Sequence, residues 1–228
     1  MGAWFGKEGS MSADEGVKMK VVERFSFLWN VYRRFDYRTR RAWSRLGQGS
    51  VFVDVGANVG EISRAAHAKG AVVHCIEPNP WAMHSLQRAF SEKDRTHIYD
   101  FAASKSDGTA HLFLHEEHED NPKRFSSGSS LVGSKPNVSE TGLSVPTRDF
   151  SAFLLELGRV DFLKIDIEGH EVELVPYLVG SLDWDLIGFV AVETHDKAKW
   201  SDLRAPTSRM KKLVEAAGLA TKFSWNWP

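Results

Sequence analysis

The stretch Val51-Phe-Val-Asp-Val-Gly-Ala-Asn-Val-Gly60 decides how this chain is read. Four of its first five residues are apolar and three are β-branched valines, the composition of a strand buried on both faces of a parallel sheet. The run breaks at Gly56-Ala-Asn-Val-Gly60, and Glu61 to Lys69 follows with helical composition. Strand, glycine turn and helix make the first crossover of a nucleotide-binding α/β sheet, where a ligand sits at the carboxyl end of the first strand. In such a turn Gly56 lets the backbone bend tightly, and Gly60 lets the helix pack close to the strand.

Working outward, a second apolar run, Ala71 to Ile76, ends in Glu77-Pro-Asn-Pro80. An acid at that tip, about 20 residues past the glycine turn, is placed to accept both hydroxyls of a ribose. The prolines start a helix from Trp81 to Phe90, with Ala82, Met83, Leu86, Ala89 and Phe90 on one face. His97 to Ala102 reads as a third strand and Ala110 to Leu114 as a short one. His115 to about Gly142 is rich in Gly, Ser and Asn, the character of a lid, a binding loop or a disordered segment. His115 and His118 in it read as part of a solvated loop rather than as metal ligands.

Beyond the loop, Thr147 or Asp149 caps a helix ending at Gly158. Val160 to Ile167 and Ile187 to Glu193 read as strands four and five, Pro206 to Ala217 as the last helix, and Phe223 to Trp227 as an edge strand. Strands alternating with helices define a doubly wound, mostly parallel α/β sheet of Rossmann-like type.

The composition bounds the function. At 228 residues with 42% hydrophobic content the chain can bury a full core. Its 29 basic and 30 acidic residues give a net charge of -1, which argues against nucleic acid as a partner. A single cysteine, Cys75, fits a reducing compartment, and no apolar run reaches a membrane span, so a soluble, cytoplasmic protein is expected. The segment 17–46 combines aromatics at helical steps with Arg33, Arg34, Arg38, Arg40, Arg41 and Arg45. It is read chiefly as a helix packed on the domain with solvated arginines, and alternatively as a docking face for an anionic substrate or a membrane.

The cofactor follows from what the turn lacks. Asn58 stands where a dinucleotide turn has its middle glycine, and a Walker lysine is absent, so NAD and ATP are disfavoured. A wider turn with an acid at strand two's tip suits S-adenosylmethionine, which brings an amino acid end and a ribose but no phosphate. On this frame the candidate cofactor residues are Asp54, Gly56, Ala57, Asn58 and Gly60 in the turn, Glu77 and Pro78 at the second tip, and Phe101 and Ala102 after strand three.

Four motifs, in order, resemble the FkbM-type methyltransferases: Val51 to Gly60, Ile76-Glu-Pro-Asn-Pro80, Ala102-Ala-Ser104 with Gly108, and Leu163-Lys-Ile-Asp-Ile-Glu-Gly-His-Glu171. Glu193-Thr-His195 closes strand five much as in that family. The resemblance covers about residues 50 to 196. It implies a class I methyltransferase fold; with the pattern readings above, that domain is expected over residues 47–228, after a flexible segment and basic aromatic helix at 1–46, with a long loop at about 115–142. It further implies S-adenosylmethionine-dependent O-methylation of a sugar, polysaccharide or secondary metabolite. Small-molecule or glycan acceptors are the expected partners.

Adjacent fourth and fifth strands would bring Asp166, Glu168, Glu193 and His195 together, and methyl transfer to a hydroxyl needs a base to take its proton. His195 and Asp166 are the expected catalytic pair, with Glu168 beside them. A divalent cation on these acids and His195 is the rival device, not favoured because no spacing is diagnostic. A catalytically inactive nucleoside-binding module of the same fold is the alternative from another class.

Overall fold

A computed structural model of the chain describes residues 32–91, 94–115, 128–133, 138–196 and 201–227. Contacts group the chain into Met1–Arg34 and Phe35–Pro228, and of the first unit only residues 32–34 are described. The elements of the second unit, in chain order, are α1 (Tyr37–Arg45), β1 (Val51–Val55), α2 (Glu61–Ala68), β2 (Val72–Ile76), α3 (Pro80–Ala89), β3 (Thr96–Tyr99) and β4 (Ala102–Ser104). They continue as β5 (Gly108–His115), β6 (Val138–Asp149), α4 (Phe150–Leu157), β7 (Phe162–Ile165), α5 (Glu171–Ser181), β8 (Val190–Val192), α6 (Ser201–Ala216) and β9 (Phe223–Ser224).

The main sheet has the order β3-β2-β1-β7-β8-β9, and every pairing in it is parallel. β1 is therefore central and covered on both faces, as its valines require. Val53 and Val55, with Leu163 and Ile165, join a core under α4, α5 and α6 that includes Phe150, Leu154, Leu174, Leu178 and Val214. By the two-residue period of a strand, Phe52 and Asp54 face the other way, as do Phe162 and Lys164. There Trp43 meets Phe52 and Phe162 edge-on, at 5.6 and 5.7 Å between ring centres. Phe35 and Trp227 close the same aromatic layer. The aromatics of α1 thus pack under the sheet while Arg38, Arg41 and Arg45 stay exposed. Residues 17–31 of the expected helix lie outside the described residues.

Three elements depart from the sequence reading. The expected third strand, His97 to Ala102, breaks at Asp100–Phe101. Phe101 turns into the core against Phe153, and Ala102–Ser104 then pairs with Thr147–Asp149 in a separate sheet of order β4-β6-β5. The irregular region expected to run to Gly142 ends earlier, because β6 begins at Val138 and pairs antiparallel with β5. Its Gly142 and Pro146 disguise it as loop. A side chain on Gly142 would come within 2.5 Å of the Leu112 carbonyl oxygen, so close strand approach explains that glycine. The last helix begins at Ser201 and carries Pro206 inside it rather than at its start.

Of the two candidate caps for α4, Asp149 takes the role, accepting from the Ala152 amide. Asn79, not singled out in the sequence, accepts from the Trp81 amide ahead of α3. The lid expectation falls partly on residues 116–127 and 134–137, which lie outside the described residues. No described helix is long and apolar enough to cross a membrane.

Candidate active site

A cleft of about 670 Å³, counting space open to solvent, lies at the carboxyl ends of β1, β2 and β7. Its floor follows from the glycine turn. The amides of Gly56 and Ala57 both donate to the Ile76 carbonyl, at 3.0 and 3.1 Å, which ties the turn to the end of β2. Gly56 has φ +76, and a side chain there would overlap the Asp166 carbonyl oxygen. Only glycine lets the turn and the end of β7 come this close. Asn58 follows in the left-handed region with φ 49, where asparagine is among the tolerated residues.

Gly60 has a different task from the expected one. A side chain on it would overlap Leu86 and crowd Phe90, so it makes room for α3 rather than for close packing on the strand.

Glu77 is buried at the cleft wall. One of its oxygens accepts from the Asn58 amide at 2.8 Å and the other from the Asn79 amide at 2.9 Å. Burial raises its pKa to about 7 against these two amides. Each oxygen keeps a lone pair for a further donor, so the residue that fixes the turn can also receive a ribose.

Behind the turn sits a charge pair the sequence reading passed over. Lys164 Nζ lies 2.9 Å from Asp54 Oδ1 and 3.4 Å from Asp166 Oδ2, and donates to the Gly56 carbonyl at 2.9 Å. Burial disfavours the ammonium, yet Asp54 and Asp166 hold its pKa above the usual lysine range. Asp54 is wholly buried, and its second oxygen accepts from Ser63 Oγ at 2.6 Å. It does not line the cleft, and its contacts to Lys164 and Ser63 are those of a residue that positions the turn. The signal was available: a lysine in a strand covered on both faces must be paired.

Asp166 and Glu168 line the cleft at its other end. They do not share a strand face, because β7 stops at Ile165 and Glu168 adopts φ 56. Ser130 Oγ donates to the Glu168 carbonyl at 2.7 Å and braces this unusual backbone. His195 is packed between two acids, with Nε2 3.3 Å from Glu168 Oε2 and Nδ1 3.1 Å from Glu171 Oε1. Burial opposes charge on the ring, but the two carboxylates prevail and raise its pKa to about 10. An imidazole accepts a proton only when neutral, and with its pKa raised to about 10 this one is charged near neutral pH, an arrangement that suits holding the acids in place better than the expected role of base. Glu171 is a buried hub, its oxygens accepting from the Ile167 and Gly169 amides, both at 2.9 Å.

Burial raises the pKa of Asp166 to about 7; Lys164 opposes the rise, while Glu193 and Glu168 add to it. Ligand atoms of Asp166, Glu168 and His195 all lie within 4.8 Å of one another.

Of the expected cofactor residues, Gly56, Asn58, Glu77, Pro78 and Ala102 line the cleft. Ala57 and Phe101 do not: the first is buried under the turn and the second packs edge-on in the core, 5.3 Å from Phe153. Residues that went unassigned but line it include Leu112, Ser129, Ser130 and His170. His170 is held below the ordinary histidine pKa by burial, and its Nε2 finds no partner among the described residues.

The description "Methyltransferase FkbM domain" matches residues 54–206, from the acid behind the glycine turn to inside α6. The chain belongs to the FkbM methyltransferase family. As a member it is an S-adenosylmethionine-dependent methyltransferase. No curated protein matches it significantly.

Among solved structures, the Methanococcus jannaschii fibrillarin pre-rRNA processing protein is similar at 12% identity and a TM-score of 0.41, over 75% of this chain and 57% of that one. The chain thus spans little more than half the length of that protein. A precorrin-6y C5,15-methyltransferase from Geobacter metallireducens is 14% identical, with a TM-score of 0.42 over 79% of this chain and 70% of its own. The precorrin 8w decarboxylase of Methanobacterium thermoautotrophicum gives 14%, 0.41 and the same coverages. These likenesses are too distant to say anything of substrate.

The cleft's residues fit the family's cofactor. Ile76, Ala102, Ala103 and Leu112 offer an apolar wall for a purine, Glu77 an acceptor for a ribose, and the turn at Gly56 and Asn58 backbone for an amino acid end. No lysine or arginine is among the described residues lining it, as suits a ligand without phosphate.

Proposed function

We propose that this FkbM family member methylates a hydroxyl oxygen of a sugar, polysaccharide or secondary metabolite, with Asp166 as the general base. When bound, S-adenosylmethionine supplies an electrophilic methyl group. The Gly56–Gly60 turn and Glu77 would hold it, leaving the Asp166 end of the cleft for the acceptor. The observation that carries the assignment is Asp166 itself, a carboxylate on the cleft wall with its pKa raised to about 7. A base poised near the working pH is both ionised often enough and basic enough to take a proton. Asp166 Oδ would accept the acceptor's hydroxyl proton as the new O–C bond forms and the methyl–sulfur bond breaks, its electron pair leaving with the neutral thioether, and Lys164 at 3.4 Å steadies the carboxylate beforehand. His195, charged between Glu168 and Glu171, offsets the repulsion among the neighbouring acids. The described part of the loop, Gly128 to Leu131, walls the cleft, and an acceptor would enter beside it.

A second reading, favoured by the closeness of Asp166, Glu168 and His195, gives the trio a divalent cation that acidifies the acceptor hydroxyl. Incubation with methyl-labelled cofactor and a panel of glycans and small hydroxylated metabolites tests the main proposal. Label in an alkali-stable ether supports it. Label only in amines or alkali-labile esters refutes it, and cofactor binding without any transfer favours the inactive module. Loss of turnover on chelation, restored by Mg or Mn, moves the proton-removing role to a metal.

A further inference from the structure

At the opposite edge of the sheet, before the amino ends of β1, β7, β8 and β9, lies a second concavity of about 1130 Å³, again counting space open to solvent. Strands of four or five residues at about 3.3 Å each put it on the order of 15 Å from the cofactor cleft. Arg38, Arg41 and Arg45 project into it from one stripe of α1, at helical steps of three and four, and Arg159 enters from the segment before β7. Tyr37 stands beside them 76% exposed.

The charge here is not internally balanced. One acid, Asp161, lines the groove against four arginines, a local excess of +3 in a chain whose total is -1. That acid is already engaged: Oδ1 pairs with Arg159 at 3.0 Å, and Oδ2 accepts the Val51 amide at 2.9 Å. Arg38 donates to the Ala220 carbonyl at 2.7 Å, which fixes its direction, and Asp36, outside the groove, offsets part of its charge. Arg41 and Arg45 have no ion pair among the described residues. Guanidiniums are planar, donor-only groups matched to oxyanions, and several converging on one hollow favour an anion with more than one charge. A basic face that is merely solvated has no reason to be concave or to draw its arginines from two separate elements.

We propose that this groove binds a phosphate-bearing ligand, recognised through at least two negative charges by Arg38, Arg41, Arg45 and Arg159. The phosphate comes either from a soluble phosphorylated molecule or from a lipid headgroup. The site is separate from the methyl-transfer cleft and stands or falls independently of the function proposed for that cleft.

Inorganic pyrophosphate, titrated calorimetrically into the full chain at low salt, is the first probe, and flotation with phosphatidylcholine vesicles with and without phosphatidic acid is the second. Arg41→Gln/Arg45→Gln removes two exposed guanidiniums, so the fold should survive, as unchanged melting and unchanged cofactor affinity would show. Pyrophosphate binding weakened at least about tenfold in that variant, without vesicle binding, supports a soluble source. Flotation with phosphatidic acid that is lost in the variant supports a lipid headgroup. If neither probe binds the wild-type chain, or if the variant binds both as well as wild type does, the proposal is overturned.

Discussion

Replacing Lys164 with methionine probes the buried charge that joins the turn to the base. The lysine side chain is 4% exposed and that of its partner Asp54 1%, so solvent cannot take over when the ammonium is removed. Breaking such a pair strands one charge and costs about 3–5 kcal/mol, a large part of the roughly 5–15 kcal/mol that holds a domain together. Lys164→Met should therefore lower the stability read from urea unfolding by about that amount. The stranded charge, rather than lost packing, is the cause, because methionine nearly fills the same space. Adding Asp54→Asn removes the orphan while keeping an acceptor for Ser63, and should recover about 2 kcal/mol or more by the logic of a double-mutant cycle. Removing Lys164 also takes away what holds the Asp166 pKa down, so the ascending limb of the pH–rate profile should move above pH 7. A single variant that loses less than about 1 kcal/mol, or a double variant no better than the single, would refute the reasoning.

Three further outcomes are expected. Gly56→Ala should impair folding and cofactor binding together, since its side chain meets backbone of Asp166; Gly218→Ala, at φ +74 with open space around it, should cost only the roughly 1–2 kcal/mol of a left-handed conformation. Comparable losses in the two, by thermal melts and calorimetry, would mean the close approach at Gly56 is not real. Glu77→Gln keeps one oxygen for the Asn58 and Asn79 amides where two are needed, so affinity for the demethylated cofactor should fall by about 1.5–3 kcal/mol; unchanged affinity would place the ribose elsewhere. The folded pKa of His195, about 10, lies above its unfolded value of about 6.5. Its contribution to stability is thus complete below about pH 6.5 and is lost as pH rises to about 10. The melting-point gap between wild type and His195→Gln should shrink over that window, and a constant gap would mean the ring is not charged in the folded chain.

Much of the frame was legible because it depends on local pattern. An apolar β-branched run, a glycine turn and an acid at the next strand tip placed β1, the cleft and Glu77 before any coordinates. What stayed hidden depends on contacts distant in sequence. Lys164 reads as an oddity in an apolar strand until Asp54, 110 residues away, is seen 2.9 Å from it. His195 looks like the natural base by its intrinsic pKa, and only the convergence of Glu168 and Glu171 reveals it as a cation. β6 hid behind Gly142 and Pro146, since half-exposed antiparallel strands carry a weaker apolar signal than buried parallel ones. Gly60 was recognised as special but for the wrong neighbour, because α3 comes against it only in the folded chain.

The most direct test is the single-turnover rate of methyl transfer by wild type and Asp166→Asn, from pH 5 to 9, with an acceptor the wild-type enzyme uses. The wild-type rate should climb through about pH 7, and Asp166→Asn should be slower by about 10²–10⁴ with its cofactor affinity intact. An asparagine variant that keeps the wild-type rate and the wild-type pH profile would contradict the account.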